Sequence, residues 1–246
     1  MLNDTNTTMT KHFLTLACAL LALALPVQAQ YPSVDPSATY VTIDGDETDD
    51  ASQGQDAPLE AHFSANPSNV GNYTARYEWK IYEPGQEETP VVHRFEENLD
   101  YTFTHSGSYY VQLYATFTLD GDTITYPEEG ESNPFVVSIS ESKLELPNAF
   151  SPNDDGFNDT YKVKEYQSII SFQAAIFNRW GQKIYSWDDL EGSWDGKWHG
   201  RTVKDGVYFV VVDARGADGR HYKVKKAVNV LTGYRNDSQN GGNDDE

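Results

Sequence analysis

Leu59-Glu60-Ala61-His62-Phe63-Ser64-Ala65 alternates residue by residue between apolar and polar. A β-strand sends successive side chains to opposite faces. This spacing therefore assigns Leu59, Ala61, Phe63 and Ala65 to a core and Glu60, His62 and Ser64 to water. The same period recurs downstream. Ala75, Tyr77, Trp79 and Ile81 form a second inward set against outward Arg76, Glu78 and Lys80. Val111, Leu113, Ala115 and Phe117 form a third, and Phe135, Val137 and Ile139 supply a last strand. Turn formers separate the runs at Asn66-Pro67-Ser68-Asn69, Glu83-Pro84-Gly85, Ser106-Gly107 and Asp120-Gly121-Asp122. Short strands punctuated by turns predict a β-sandwich, and the 16 tyrosines fit the pleated surface of one.

The C-terminal part follows the same logic. Strands are expected at 160–164, 170–178, 182–187, 206–214 and 221–231. Ile170, Phe172, Ala174 and Ile176 alternate with Ser171, Gln173 and Ala175. The nearly unbroken apolar run from Val207 to Val212 predicts a central strand covered on both faces. Asn178-Arg179-Trp180-Gly181 predicts a tight turn in which Gly181 takes positive φ. The fold class expected is all-β, with two immunoglobulin-like β-sandwich domains in tandem after a cleaved signal peptide.

Residues 1–29 carry that signal. Lys11 and His12 precede an apolar run from Phe13 to Leu25, closed by Pro26, and Val27 and Ala29 suit signal peptidase. The run is shorter than the ~20 residues a spanning helix needs, so no transmembrane segment is expected in the mature chain. The start is Met1 or Met9, and the Sec translocon and signal peptidase are the first partners. Cys18, the one cysteine, lies inside this segment, which leaves a mature chain without disulfide, thiolate metal site or cysteine nucleophile.

Charge divides the rest. Residues 31–141 hold 3 Lys and Arg against 21 Asp and Glu, whereas residues 142–235 hold 14 against 12. The break near 141 marks a domain boundary. Residues 30–56 read as a flexible acidic N-terminal segment, 57–141 as the first sandwich, 142–235 as the second, and 236–246 as a disordered acidic tail. An acidic N-terminal half argues against nucleic acid and anionic membrane as its partners, because both require cationic surface.

Two resemblances sharpen this. Leu146-Pro147-Asn148-Ala149-Phe150-Ser151-Pro152-Asn153-Asp154-Asp155-Gly156-Phe157-Asn158-Asp159 is followed by Ile176-Phe177-Asn178-Arg179-Trp180-Gly181, Trp194-Asp195-Gly196 and Asp205-Gly206-Val207-Tyr208-Phe209. Together they resemble the gliding motility-associated C-terminal domain, the type B sorting domain of type IX secretion. The resemblance implies export through the periplasm to the cell surface or medium by the type IX machinery. It also implies recognition on a folded surface that includes the turns Trp180-Gly181 and Trp194-Asp195-Gly196. Tyr77-Glu78-Trp79, Tyr101-Thr102-Phe103 and Ser106-Gly107-Ser108-Tyr109-Tyr110-Val111-Gln112-Leu113 resemble a PKD-type immunoglobulin-like domain, with Trp79 as its core tryptophan.

Signals for chemistry are sparse. Asn153, Asp155 and Asp159 are calcium candidates, being hard oxygen ligands around Gly156. In an EF-hand alignment Ser151 and Lys162 occupy the positions that need carboxylates, so the competing reading is an Asx-turn cluster that satisfies its own backbone. No Gly-x-Ser-x-Gly or His-Glu-x-x-His spacing occurs, and His62, His93, His105, His199 and His221 are scattered. No enzyme is expected. Tyr110 and Tyr114 share the parity opposite the inward set of their strand and are the aromatics to test for a glycan or surface-protein ligand. The expectation is a non-enzymatic secreted or cell-surface protein. An adhesin-type glycan- or protein-binding module is the alternative, and a carboxylate-based hydrolase stands behind it.

Overall fold

The computed structural model describes residues 30–233, so the signal segment 1–29 and the tail 236–246 lie outside the described residues. Every regular element among the described residues is a β-strand or bridge, and the strands gather into two sandwiches. In the first, a four-stranded sheet runs in the order Glu47–Thr48, Ser37–Val41, Leu59–Ser64, Asn98–Phe103. The facing sheet runs Ala51–Gln55, Phe135–Ile139, Gly107–Leu119, Thr74–Tyr82, Val92–Arg94, with Asp122–Tyr126 also paired to Gly107–Leu119.

The alternation holds where it was predicted. Leu59, Ala61, Phe63 and Ala65 are buried, as are Trp79, Ile81, Val111, Leu113, Ala115 and Phe117. Trp79 packs on Phe63 with ring centroids 5.7 Å apart, and its Nε1 donates to the Glu97 carbonyl at 3.2 Å. A buried indole needs such an acceptor, because an unpaired N–H in a dry core costs about 1–3 kcal/mol.

The segment 30–56, expected to be flexible, instead supplies the strands Ser33–Val34, Ser37–Val41, Glu47–Thr48 and Ala51–Gln55. Glu47–Thr48 pairs with Ser37–Val41, and Ala51–Gln55 runs parallel to Phe135–Ile139, with Ala51 buried opposite Val137. Tyr40 is also core. The side chains of Glu47–Thr48 and Ala51–Gln55 are mostly polar because the order comes from backbone pairing at sheet edges, with Ala51 the one buried apolar residue in these two strands.

The second sandwich is built on a five-stranded sheet in the order Ala149–Phe150, His221–Val230, Gly206–Gly216, Ile169–Phe177, Lys183–Trp187. Short ladders close its other side, pairing Lys143–Glu145 with Glu165–Gln167 and Tyr161–Lys162 with Ser193–Trp194. Its core gathers Phe150, Tyr161, Phe172, Ile176, Trp194, Val210, Val212 and Val228. Two expectations fail here. A bulge between Ile169 and Ser171 shifts the register, so Ile169 is buried and Ile170 is exposed. The run Val207 to Val212 buries Val210 and Val212 on one face only, leaving Val207 47% and Phe209 43% exposed on the other.

The two sandwiches share one local device. Tyr109 donates its hydroxyl to the His105 carbonyl at 3.0 Å, and Tyr208 donates to the Lys204 carbonyl at 3.0 Å, each four residues back along the chain. A glycine with φ near 145° stands two residues before each tyrosine, Gly107 at 146° and Gly206 at 143°. This tyrosine corner ties the entry of a long central strand to the preceding loop, as in immunoglobulin-like domains. Each sandwich also adds one parallel edge pair, Ala51–Gln55 with Phe135–Ile139 and Ala149–Phe150 with His221–Val230.

Candidate functional site

A concavity of about 840 Å³ opens between the turn at 178–182 and the segment 198–208 of the second sandwich. Its first wall is the predicted tight turn. The Asn178 carboxamide oxygen accepts the backbone N–H groups of Trp180 and Gln182, each at 3.0 Å, and Gly181 adopts φ 79°. A non-glycine residue at that φ would be strained. The turn holds Trp180 outward with 77% of its surface exposed, and the Arg179 guanidinium lies 4.7 Å from its ring centroid. Stacking of this kind pre-orients both groups while leaving the guanidinium N–H donors free to point outward.

The second wall is a two-residue hairpin. Trp198 pairs with Arg201 across His199 (φ 50°) and Gly200 (φ 75°), the double left-handed geometry that suits such loops. The Trp198 and His199 rings lie 4.7 Å apart. Val203 donates to the Gly196 carbonyl at 2.9 Å and anchors the hairpin to the sandwich. Asp205 accepts the Thr232 N–H at 2.9 Å and its hydroxyl, and those bonds hold its carboxyl below the ordinary aspartate range. The groove is thus lined by Arg179, Arg201 and Lys204 against one carboxylate that is already bonded. Chemically it offers two exposed indoles and three cations, a surface suited to binding.

The motif tryptophans separate. Trp180 lines the groove, whereas Trp194 is 0% exposed, packs 5.3 Å from the Phe150 ring and donates Nε1 to the Lys197 carbonyl at 3.0 Å. Trp194 is therefore a core residue and a correction to its place among surface-recognition residues. Its neighbours keep to the turn: Asp195 accepts the Lys197 N–H at 2.9 Å, and Gly196 (φ 73°) sits where a Cβ would come within 2.8 Å of Pro152. No motif or period in the sequence marks Trp198, Arg201 and Lys204. Only the fold brings them to Trp180.

Tyr110 and Tyr114 do lie on the outer face of their strand, but that face is roofed. Tyr82 meets Tyr110 edge-on at 5.9 Å, and the Tyr114 hydroxyl donates to Glu87. The Tyr114 phenol is pushed up in pKa, first by burial and then by that carboxylate. Beside them Gln112 is 1% exposed and accepts a hydrogen bond from Ser132. A shallow hollow of about 350 Å³ between Tyr82, Tyr110, Glu87 and Pro134 remains. An open aromatic platform does not.

Asn153, Asp155 and Asp159 are brought together as a self-bonded loop. Asp159 accepts the backbone N–H groups of Asn153, Asp154 and Gly156 at 3.2, 2.8 and 2.7 Å. Asp155 accepts from Phe157 at 2.9 Å and from the Asn153 carboxamide at 3.0 Å. These carboxylate oxygens already face N–H donors, which is the Asx-turn arrangement. No grouping of three or more His, Cys, Asp or Glu suited to a metal ion occurs among the described residues.

For hydrolytic chemistry a carboxyl of raised pKa should face a cleft. Asp56 is raised, chiefly by burial, but it is hydrogen-bonded to Gln167 where the two sandwiches meet and does not line the groove. No helix among the described residues is long and apolar enough to cross a membrane. No curated protein matches this chain. Residues 144–230, which hold the five-stranded sheet and both walls of the groove, match the family model described as the CHU_C type IX secretion signal domain.

Proposed function

We propose that residues 142–235 are a type B sorting domain of the gliding motility-associated kind, directing export by the type IX machinery. The cargo in front of it is a PKD-like immunoglobulin-like module that does no chemistry of its own. The observation carrying this reading is the family match over 144–230 on a folded sandwich that presents an exposed groove. A sorting domain needs a surface presented for a partner, and a rigid turn displaying Trp180 and Arg179 supplies one. The protein then enters the periplasm through the Sec translocon and ends at the cell surface or in the medium.

The test is fractionation of the native host expressing the full chain or a chain lacking residues 142–246. The full chain should reach the surface or medium and the truncation should accumulate in the periplasm. Surface export of the truncation overturns the proposal.

A second reading, an adhesin-type ligand site on the first sandwich, is favoured by the hollow beside Tyr110. Glycan-array or pull-down binding that disappears in Tyr110→Ala, with Tyr114→Ala as the neighbouring probe, would establish it.

A further inference from the structure

The two sandwiches present the same face of the same central strand in opposite states. From the tyrosine corners, Ser108, Tyr110 and Gln112 correspond to Val207, Phe209 and Val211, each set on the outward side of its sheet. In the first sandwich this face is roofed by the chain's own acidic loops. Glu87 accepts the Tyr114 hydroxyl, Ser132 donates its hydroxyl to the Gln112 carboxamide oxygen, and Lys80 lies 5.0 Å from the Tyr114 ring beneath them. The roofing segments 83–91 and 127–134 carry Glu83, Glu87, Glu88, Glu128, Glu129 and Glu131.

In the second sandwich nothing in the described chain roofs the equivalent face. Val207 and Phe209 are exposed, Phe209 pairs with Phe177 and Ala227, and Val211 pairs with Ala175 and Lys225. A one-sided antiparallel sheet ordinarily alternates apolar inward with polar outward, and this strand breaks the rule with three outward apolar residues in register. Clustered exposed apolar groups of this kind mark interaction surfaces. The rim is cationic: Lys183, Lys223, Lys225 and Arg215 surround it, against Asp213, which is already bonded to His221 at 2.8 Å. The face continues into the Trp180 groove through Val207.

We propose that this outer face, centred on Phe209, docks a protein surface of apolar groups rimmed by carboxylates, belonging to the type IX exporter. The proposal rests on the sorting-domain reading and names the face that reading leaves open. The partner's chemistry follows from charge: a cationic rim around an apolar centre is complemented by what the first sandwich provides for itself, glutamates over the equivalent strand.

The experiment compares surface export of full-length wild type, Phe209→Glu, Phe209→Leu and Lys223→Glu/Lys225→Glu in the native host, with melting temperatures of the purified chains. Phe209→Glu and the double lysine variant should each cut export at least tenfold, Phe209→Leu should export normally, and all should melt within a few degrees of wild type. If Phe209→Glu melts early, the double lysine variant, altered only at exposed positions, decides. Normal export of the folded variants overturns the inference. So does concentration-dependent self-association that is lost in Phe209→Glu while export persists, since the occupant is then a second copy. Export of the chain lacking 142–246 would instead overturn the sorting reading itself.

Discussion

Ser106 donates its backbone N–H to the carbonyl of Ala217 at 3.1 Å, joining the loop before the first sandwich's central strand to a hairpin tip of the second. Ala217 is itself buried among core residues of the first sandwich. Ser168 completes the bridge, its hydroxyl accepting the Ala57 N–H at 3.2 Å and its carbonyl accepting the Ala217 N–H at 2.9 Å. The two sandwiches therefore meet through satisfied backbone groups and a shared apolar contact.

Gly216 makes that junction testable. A Cβ there would stand 2.0 Å from the Ser142 Oγ and 2.3 Å from its Cβ. Ser142 cannot swing away freely, because its hydroxyl donates to Asp218 at 2.7 Å and its carbonyl accepts the Tyr222 hydroxyl at 2.9 Å. Overpacking of this kind costs about 1–3 kcal/mol. Gly216→Ala should lower stability by that amount and split one calorimetric transition into two. Two separate transitions already present in the wild-type chain would show that the junction does not couple the sandwiches.

Two aspartates at the same junction titrate in opposite senses. Asp56 is raised, first by burial, with Gln167 opposing and Asp44 reinforcing. A raised carboxyl binds its proton more tightly folded than unfolded. It therefore penalises the folded state as pH climbs through the ordinary aspartate value of about 3.9 toward the raised one. Asp56→Asn should leave melting unchanged below that window and raise it above. For Asp218, burial pushes upward, but hydrogen bonds from Ser142 and Arg220 and the nearby guanidinium outweigh it and leave the carboxyl low. Its contribution is present above the ordinary value and lost as pH falls through the depressed one. Asp218→Asn should therefore destabilise at neutral pH and converge on wild type in acid. Melting curves across the acid range read both.

The motif tryptophans should part company in the same way. Trp194→Ala empties a fully buried site and leaves the Lys197 carbonyl without its donor, costing about 3–5 kcal/mol. Trp180→Ala removes an exposed ring and should change stability by less than about 0.5 kcal/mol. Under the sorting proposal it should still impair export. Urea melts paired with fractionation separate the two effects. A Trp180→Ala chain that is as unstable as Trp194→Ala would assign Trp180 a structural role.

Most strands were legible because alternation is a local signal, as Leu59 to Ala65 and Val111 to Phe117 illustrate. What escaped was decided by distant chain. Ala51–Gln55 is ordered by a parallel partner more than eighty residues away, which no local apolar count registers. The run Val207 to Val212 looks the same in sequence whether its outer face is roofed or bare, since periodicity reports apolarity and not cover. Register at Ile169 and Ile170 turned on a bulge. In the candidate site Trp180 was readable from its turn, but Trp198, Arg201 and Lys204 join it only through a hairpin whose tip, His199-Gly200, carries no apolar pattern. The shared tyrosine corner was hidden for the opposite reason: Ser106-Gly107-Ser108-Tyr109 and Asp205-Gly206-Val207-Tyr208 have only glycine and tyrosine in common.

The loop around Asp159 gives the last prediction. Its carboxylate accepts three backbone N–H groups, from Asn153, Asp154 and Gly156, and so does within the chain what a cation-bound loop would do from outside. Asp154 (φ 59°) and Asn158 (φ 51°) hold left-handed backbone that this carboxylate helps to pin. Asp159→Ala leaves those donors to find water and should cost about 1–3 kcal/mol. Asp159→Asn keeps one acceptor oxygen and should cost less. If the loop is self-sufficient, adding millimolar calcium or chelating it with EDTA should leave the wild-type melting temperature unchanged. A calcium-dependent rise in melting that vanishes in both variants would instead make these residues ligands. The Ser151 N–H, which donates to the Asn158 carbonyl at 2.8 Å, offers an independent check. Its hydrogen exchange should accelerate in Asp159→Ala, because that bond closes the same loop.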